Sequence, residues 1–168
     1  MNSPVEVVGG KVRAAASRTV PRDLYDLVRI GEDREAWTTG DPLLDHRVVF
    51  YNAVLSNRFP NHGDLADRAR FEGRERDFDQ ILRPVLPVDS ALTYDALLDG
   101  AIDVLAEFAH PVDEVEEDFA AALAKGELDT SMLFAGHPEL AERASRNPVA
   151  LHKRNNIRSA IRRGLMTT

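Results

Sequence analysis

The chain contains no cysteine, and none of its apolar runs approaches the roughly 20 residues that a membrane-spanning helix needs. The first 25 residues carry charged side chains throughout, which is not the pattern of a secretory signal peptide. These absences exclude disulfides, thiol catalysis and thiolate metal sites, and they predict a cytoplasmic protein with no membrane partner. The 168 residues are 43% apolar, which favours a globular protein over a disordered one.

Strand signals are nearly absent, and proline punctuates a series of helical patterns. Six of the nine prolines suit the first position of a helix, where the missing N–H costs nothing. Ser3 and Glu6 fit a capping box, and Asp41 and Asn147 are good N-caps. The six prolines are Pro4, Pro21, Pro42, Pro111, Pro138 and Pro148.

Apolar stripes at helical spacing support most of these starts, and we interpret them as core faces rather than as cofactor sites. No internal repeat or linker interrupts the pattern, so we predict an all-α, compact single-domain bundle of about eight helices over residues 1–168. Only residues 83–89, with two prolines, are predicted to be extended. The predicted helices span 4–18, 21–30, 42–58, 64–82, 93–109, 111–125, 131–144 and 148–163.

The end of the sequence lacks acidic side chains. From Arg143 to Thr168 the chain carries seven of its 21 basic residues and none of its 28 acidic ones. A basic tail on an acidic body is either an intramolecular partner or a docking face for an anionic ligand. The positions of the basic residues leave both interpretations open.

The first two predicted helices carry the most informative polar residues. Lys11 and Arg18 are seven residues apart and share a face of the first helix, while Asp23 and Asp26 share a face of the second. Because the link between the helices is short, the four side chains can converge to hold a polyphosphate and orient a nucleophile or metal. The plainer interpretation is that Asp23 favours the helix N-terminus and that Arg22 pairs with Asp26.

Two glycines come directly before Lys11, inside the first predicted helix. Glycine in a helix interior costs about 1 kcal/mol relative to alanine. Gly9 and Gly10 therefore indicate close approach of another backbone or of a ligand at this point of the helix.

The same residues resemble a known family. Lys11, an Ala-rich run, Arg18 and then the segment PRDLYDL at 21–27 are similar to the AbiEii/AbiGii nucleotidyltransferase-type toxins, in which such a segment follows the nucleotidyltransferase core. Later parts of the chain are similar as well, so the resemblance covers nearly all of this sequence. The part of the family proteins that it resembles is their helical C-terminal half. The later matches are Phe119, Lys125-Gly126, Leu133-Phe134, Asn147-Pro148, Lys153 and Asn155.

The resemblance implies a bacterial toxin–antitoxin or abortive-infection enzyme that transfers a nucleotide from an NTP to an acceptor such as tRNA, with a cognate antitoxin as its partner. It places the motif lysine at Lys11 and the motif aspartate at Asp23 or Asp26, which are the candidate catalytic residues. Lys11 would contact the triphosphate, together with Arg18 and Arg22 as nucleotide-binding residues. The aspartate would orient the acceptor or the lysine.

The chain departs from the family where metal ions are bound. The family core begins with a Gly-Ser helix start and an Asp-x-Asp strand, and nothing in residues 1–10 supplies them. The Asp77-Phe78-Asp79 segment is interpreted as solvated surface, because residues i and i+2 lie on different faces of a helix. The five histidines lack metal-ligand spacing. We therefore predict no metal site and no cofactor bound by this chain alone, with NTP and Mg²⁺ used once a core completes it.

The basic end of the chain is the second candidate site. Lys153, Arg154, Arg158 and Arg162 lie roughly along one side of the last predicted helix, with Ile157 and Ile161 on another. They either pair with the acidic run at 113–118 or contact an RNA backbone, which the family resemblance favours. No aromatic residue follows Phe134, so stacking on unpaired bases is not expected from this helix.

Three functional hypotheses follow. In the first, the chain is a truncated or partial nucleotidyltransferase toxin that is inactive alone and is completed by a second chain supplying the catalytic core. In the second, it is a non-catalytic module derived from that fold, which binds RNA or a protein. In the third, it is a remnant with no activity.

Overall fold

The computed structural model describes residues 3–57, 59 and 62–165, and the regular structure of these residues is entirely helical. The all-α prediction is confirmed. Within the described residues, no helix combines the length and apolar character that crossing a membrane requires. The α-helices are α1 (Pro4–Arg18), α2 (Pro21–Glu32), α3 (Pro42–Val54), α4 (Glu75–Asp77), α5 (Tyr94–Phe108), α6 (Glu114–Ala124), α7 (Thr130–Leu133), α8 (Pro138–Ser145) and α9 (Pro148–Arg162).

The six prolines predicted to begin helices do so with one exception. Glu6 accepts hydrogen bonds from the backbone N–H and the hydroxyl of Ser3, which satisfies the start of α1. Proline occupies the first position of α1, α2, α3, α8 and α9. The prediction was wrong at Pro111, because α6 begins three residues later, where the Asp113 carboxylate accepts the N–H of Glu116 at 3.0 Å.

Two predicted helices are broken in the structure, in both cases near a glycine. The stretch predicted as one helix at 64–82 consists of two 3-10 segments, the short α4 and a π-helical turn at Phe78–Leu82. Gly73 has φ +77° and Gly136 has φ +86°, values that no α-helix accommodates. Gly136 therefore separates α7 from α8, which the sequence had predicted as one helix. The extended stretch predicted at 83–89 is wrong over most of its length: residues 83–85 form a 3-10 turn, Leu86 is extended, and the Ser90 N–H closes a further turn on the Pro87 carbonyl at 2.9 Å.

The described residues form two compact units, one within 1–110 and one within 111–168. In the first unit α1 packs on α3 and α2, and α2 packs on α5. In the second unit α7 packs on α6 and α8, and α8 packs on α9. The single-domain description of the chain stays a prediction.

Gly9 allows α1 and α3 to approach closely. A Cβ atom at Gly9 would lie 2.6 Å from Nδ2 of Asn52, a buried amide that donates to the Val48 carbonyl at 3.0 Å. At Gly10 nothing lies within 4 Å of the corresponding position. The glycines predicted close approach of another backbone or of a ligand; at Gly9 the close neighbour is a side chain instead, and at Gly10 the space is open.

Candidate functional site

The α1 and α2 helices form a hairpin that places their polar faces opposite each other. Thr19 adopts φ +53° and its N–H bonds the Ala15 carbonyl at 3.1 Å, which ends α1 in a left-handed cap. Pro21 then starts α2 after a single intervening residue. The two helices therefore lie side by side, as the short link predicted.

Lys11 and Asp26 form the first ion pair of this hairpin. The Lys11 Nζ atom lies 2.5 Å from Oδ2 of Asp26, and 44% of the lysine side chain remains exposed. Both residues line a cavity of about 410 Å³ whose other walls are largely apolar, with Val7, Val8 and Trp37 among them. Lys11 thus has a fixed partner and also borders open space.

Arg18 and Asp23 form the second ion pair, and its character is different. Nη2 of Arg18 lies 2.8 Å from Oδ1 of Asp23, whose side chain is only 7% exposed. The other carboxylate oxygen, Oδ2, is buried and has no hydrogen-bond partner among the described residues. Arg18 is therefore the cation that compensates a buried carboxylate, and neither residue lines the cavity beside Lys11.

The four side chains that the sequence predicted to converge are thus divided into two pairs. Lys11 and Arg18 are seven residues apart on α1, about 10 Å along its axis. Asp26 is the aspartate that contacts Lys11, and Asp23 is not. The roles of Lys11, Asp23 and Asp26 as catalytic residues stay predictions.

Arg22 lies on the exposed side of α2 and lines a second cavity, of about 390 Å³, together with Tyr25 and Asp26. The expected ion pair between Arg22 and Asp26 does not form within the described part of the chain, because Asp26 is bound to Lys11. The role of Arg22 in nucleotide binding stays a prediction.

The cations of α9 lie in two environments rather than along one side. At 100° per residue, Lys153 and Arg154 flank the face that buries Ala150 and Ile157. Burial accordingly lowers the pKa of Lys153. Arg158 and Arg162 are exposed. Lys153 and Arg154 therefore lie close to Ile157, contrary to the prediction, whereas Arg162 lies away from it as predicted. The contact of all four basic residues with RNA stays a prediction.

Arg158 is held by a turn that the sequence analysis did not connect with it. Its Nε atom donates to the Gly126 carbonyl at 2.7 Å. Gly126 has φ +78°, and a Cβ atom there would lie 2.5 Å from Cγ of Arg158. The Lys125-Gly126 dipeptide belongs to the family resemblance, and its glycine suggests a turn but not this contact.

Trp37 and Tyr25 were also given no role in the sequence analysis. Trp37 is buried beside the cavity at Lys11, with its Nε1–H donating to the Ile30 carbonyl at 3.1 Å. Tyr25 lies inside the PRDLYDL segment and lines the second cavity. Its position three residues after Arg22 is the one signal that places both on the same helix face.

The carboxylates near the site do not fit a divalent cation. Asp26 and Asp23 are each bound to a basic side chain. Asp77 pairs with Arg74 and Asp79 with Arg83, in agreement with the surface interpretation of that segment. Within residues 3–57, 59 and 62–165, no group of three or more acidic or histidine residues is placed to hold a metal.

The fold and the site define an all-α protein whose lysine–carboxylate pair borders a cavity. The family model described as "Nucleotidyl transferase AbiEii toxin, Type IV TA system" matches residues 1–125, and the chain belongs to this family. Neither the curated proteins nor the solved structures gave a match. The predicted family is confirmed, and it indicates a nucleotidyltransferase-type function within a toxin–antitoxin system, with an antitoxin as the partner to be sought.

Proposed function

We propose that this chain supplies the triphosphate and acceptor contacts of a nucleotidyltransferase-type toxin. The observation that carries the proposal is the Lys11–Asp26 pair at the edge of the 410 Å³ cavity, within the part of the chain that matches the family. A cavity of this size lies in the range of about 300–1,000 Å³ that small-molecule sites occupy.

Lys11 retains the capacity to bind phosphate while it is paired. An ammonium group has three N–H donors, and Asp26 accepts one of them. Two donors are left for triphosphate oxygens, and hydrogen bonds between charged groups are about twice as strong as neutral ones. In this proposal Asp26 positions Lys11, whereas the Arg18–Asp23 pair maintains the hairpin.

The metal-binding carboxylates come, in this proposal, from residues other than those described, either in another segment or in a second chain. Mg²⁺ would neutralise the triphosphate and the leaving pyrophosphate once bound there. The acceptor is a tRNA-like RNA. The chain then acts as one part of the complete enzyme and does not transfer nucleotides alone.

Calorimetric titration of the full chain with ATP, CTP, GTP and UTP tests the proposal, with EDTA present so that binding does not depend on a metal. Lys11→Gln is expected to weaken the preferred triphosphate about tenfold, which is 1.4 kcal/mol. Lys11→Arg should retain part of the affinity because the charge is kept. Lys125→Gln removes an exposed lysine that does not line the cavity and should change nothing. Equal affinity in Lys11→Gln and the unaltered chain would contradict the proposal.

A second candidate function, a non-catalytic RNA-binding module, is favoured by the exposed Arg158 and Arg162 of α9. Each contact that a cation makes with a duplex phosphate adds about 0.9 to the slope of log K against log salt. Binding of tRNA should therefore fall steeply with salt, and Arg158→Gln with Arg162→Gln should lower the slope by about 2. If Lys11→Gln then leaves triphosphate binding unchanged, the module function stands alone. A flat salt dependence would exclude it.

A further inference from the structure

The second cavity, of about 390 Å³, adjoins the Lys11–Asp26 pair, because Asp26 lines both cavities. Its two sides differ in chemistry. One is polar and belongs to the first turns of α2, and the other is aliphatic and belongs to the π-helical turn and the 3-10 turn that follows it. The polar side carries Arg22, Tyr25 and Asp26, and the aliphatic side includes Ile81, Val85 and Leu86.

The polar side carries groups that the fold does not use. Arg22 and Tyr25 are separated by three residues and share a face of α2. Within the described part of the chain, Arg22 forms no ion pair and the Tyr25 hydroxyl forms no hydrogen bond. The carboxylate that would pair with Arg22 is bound to Lys11 instead. A cation and a phenol are therefore available at the wall of a concave surface.

The aliphatic side is unusually exposed for its composition. Ile81 is 60% exposed and Val85 is 75% exposed, although both border a cavity. Single π-helical turns occur frequently at functional sites, and Ile81 belongs to the one at Phe78–Leu82. Apolar side chains facing a cation and a phenol across about 390 Å³ suit a ligand with a flat apolar ring and an anionic group.

We propose that this cavity binds one nucleotide of the RNA acceptor, with its base between Tyr25 and the aliphatic side and its phosphate on Arg22. The inference rests on the proposed function and deepens it, because the acceptor and the triphosphate would then occupy two cavities that share Asp26. Tyr25, Ile81 and Val85 become the residues that determine which acceptor nucleotide is accepted.

Methyl NMR of the full chain provides the test, with labelled isoleucine and valine methyl groups. AMP should shift the Ile81 and Val85 signals. Adenosine lacks the phosphate and ribose 5-phosphate lacks the base, so each should need a concentration at least tenfold higher to produce the same shift. Arg22→Gln and Ile81→Ser should each weaken AMP at least fivefold. The matched controls Arg76→Gln and Val112→Ser, exposed and outside the cavity, should bind AMP normally. Circular dichroism checks that every variant is folded.

A tetra-adenylate RNA tests whether the cavity recognises a nucleotide within an RNA acceptor or only a free nucleotide. It should shift the same methyl signals and bind more tightly than AMP. Binding of AMP without binding of the RNA would overturn the inference. It would also be overturned if neither ligand shifts the Ile81 and Val85 signals, which is the result expected of a surface that docks a protein. Failure of the proposed function is distinct from this, because it appears as ATP binding that is insensitive to Lys11→Gln.

Discussion

The α1–α2 hairpin and α9 both display basic side chains, yet the two regions hold them in different ways. In the hairpin, Lys11 and Arg18 each reach a carboxylate of the neighbouring helix, at 2.5 and 2.8 Å. In α9, Arg158 is held by a backbone carbonyl instead, and no carboxylate of the described residues lies within ion-pair distance of Arg158 or Arg162. A basic residue can thus be fixed by charge or by backbone geometry.

The comparison also separates two kinds of ion pair inside the hairpin. Arg18 compensates a carboxylate that is almost fully buried, so removing Arg18 should lower the stability of the fold. Lys11 pairs with a more exposed carboxylate at a cavity, so removing Lys11 should mainly lower the affinity for a ligand bound there. A sequence pattern of two cations and two aspartates does not distinguish these pairs, because burial depends on what packs against each turn.

Gly9→Ala and Gly10→Ala should produce the largest contrast, because the two positions are adjacent and only one is crowded. A Cβ atom at Gly9 meets the buried Asn52, and overpacking of this kind costs about 1–3 kcal/mol. Gly10 has open space, so alanine there should stabilise the helix by about 0.5–1 kcal/mol. Urea unfolding measures both. A stabilising Gly9→Ala would contradict the close packing of α1 on α3.

Arg18→Gln and Lys11→Gln should differ in their effect on stability. Removing Arg18 leaves the buried Asp23 without its cation, which we expect to lower the free energy of unfolding by about 1–3 kcal/mol. Lys11→Gln should cost less than about 1 kcal/mol, since its pair is partly exposed. Chemical denaturation of the two variants side by side checks the order. Equal losses would remove the distinction between a structural and a ligand-facing pair.

Gly126→Ala tests whether backbone geometry holds Arg158. Both Gly126 and Gly136 have positive φ, so alanine is strained at either position by a similar amount, about 1 kcal/mol. At Gly126 the new methyl group also meets Arg158, whereas at Gly136 nothing lies within 4 Å. The thermal unfolding temperature should therefore fall further for Gly126→Ala. Identical shifts would show that the Arg158 contact contributes nothing.

Asp129 offers a smaller test in the unit that contains α9. It caps α7, and hydrogen bonds from Ser131 and the backbone hold its pKa below the usual range. A depressed carboxyl pKa contributes stability that is present above the unfolded pKa, about 4, and is lost as pH falls through the folded pKa. Asp129→Ala should cost about 1 kcal/mol at pH 7. The cost should shrink below pH 4, and unfolding curves at pH 7 and pH 3 compare the two.

Local chemistry made much of the fold predictable. Proline at the first helical position fixes a helix start through backbone geometry, with or without a side-chain cap, which explains why α1, α2, α3 and α9 begin as predicted. The exceptions depend on information that a short pattern lacks. The apolar spacing across 64–82 suits a helix, but the chain around Gly73 leaves the helical region.

The candidate site was predictable in its residues but not in its pairing. Spacing placed Lys11 and Arg18 on one face of α1, and the short link brought α2 beside it. Which aspartate meets which cation depends on how the two helices align, and the sequence left Asp23 and Asp26 open. The second cavity escaped prediction altogether, because its aliphatic side comes from a π-helical turn about 50 residues away from α2 in the chain.

A double-mutant cycle on ATP binding, combining Lys11→Gln with Asp26→Asn, tests the central claim most directly. If Asp26 positions Lys11, Asp26→Asn should weaken ATP about threefold even though it removes a negative charge near the phosphates, and it should add nothing in the Lys11→Gln background. Tighter ATP binding by Asp26→Asn, or additive losses in the double variant, would contradict the account, because each outcome shows that Asp26 acts on the ligand independently of Lys11.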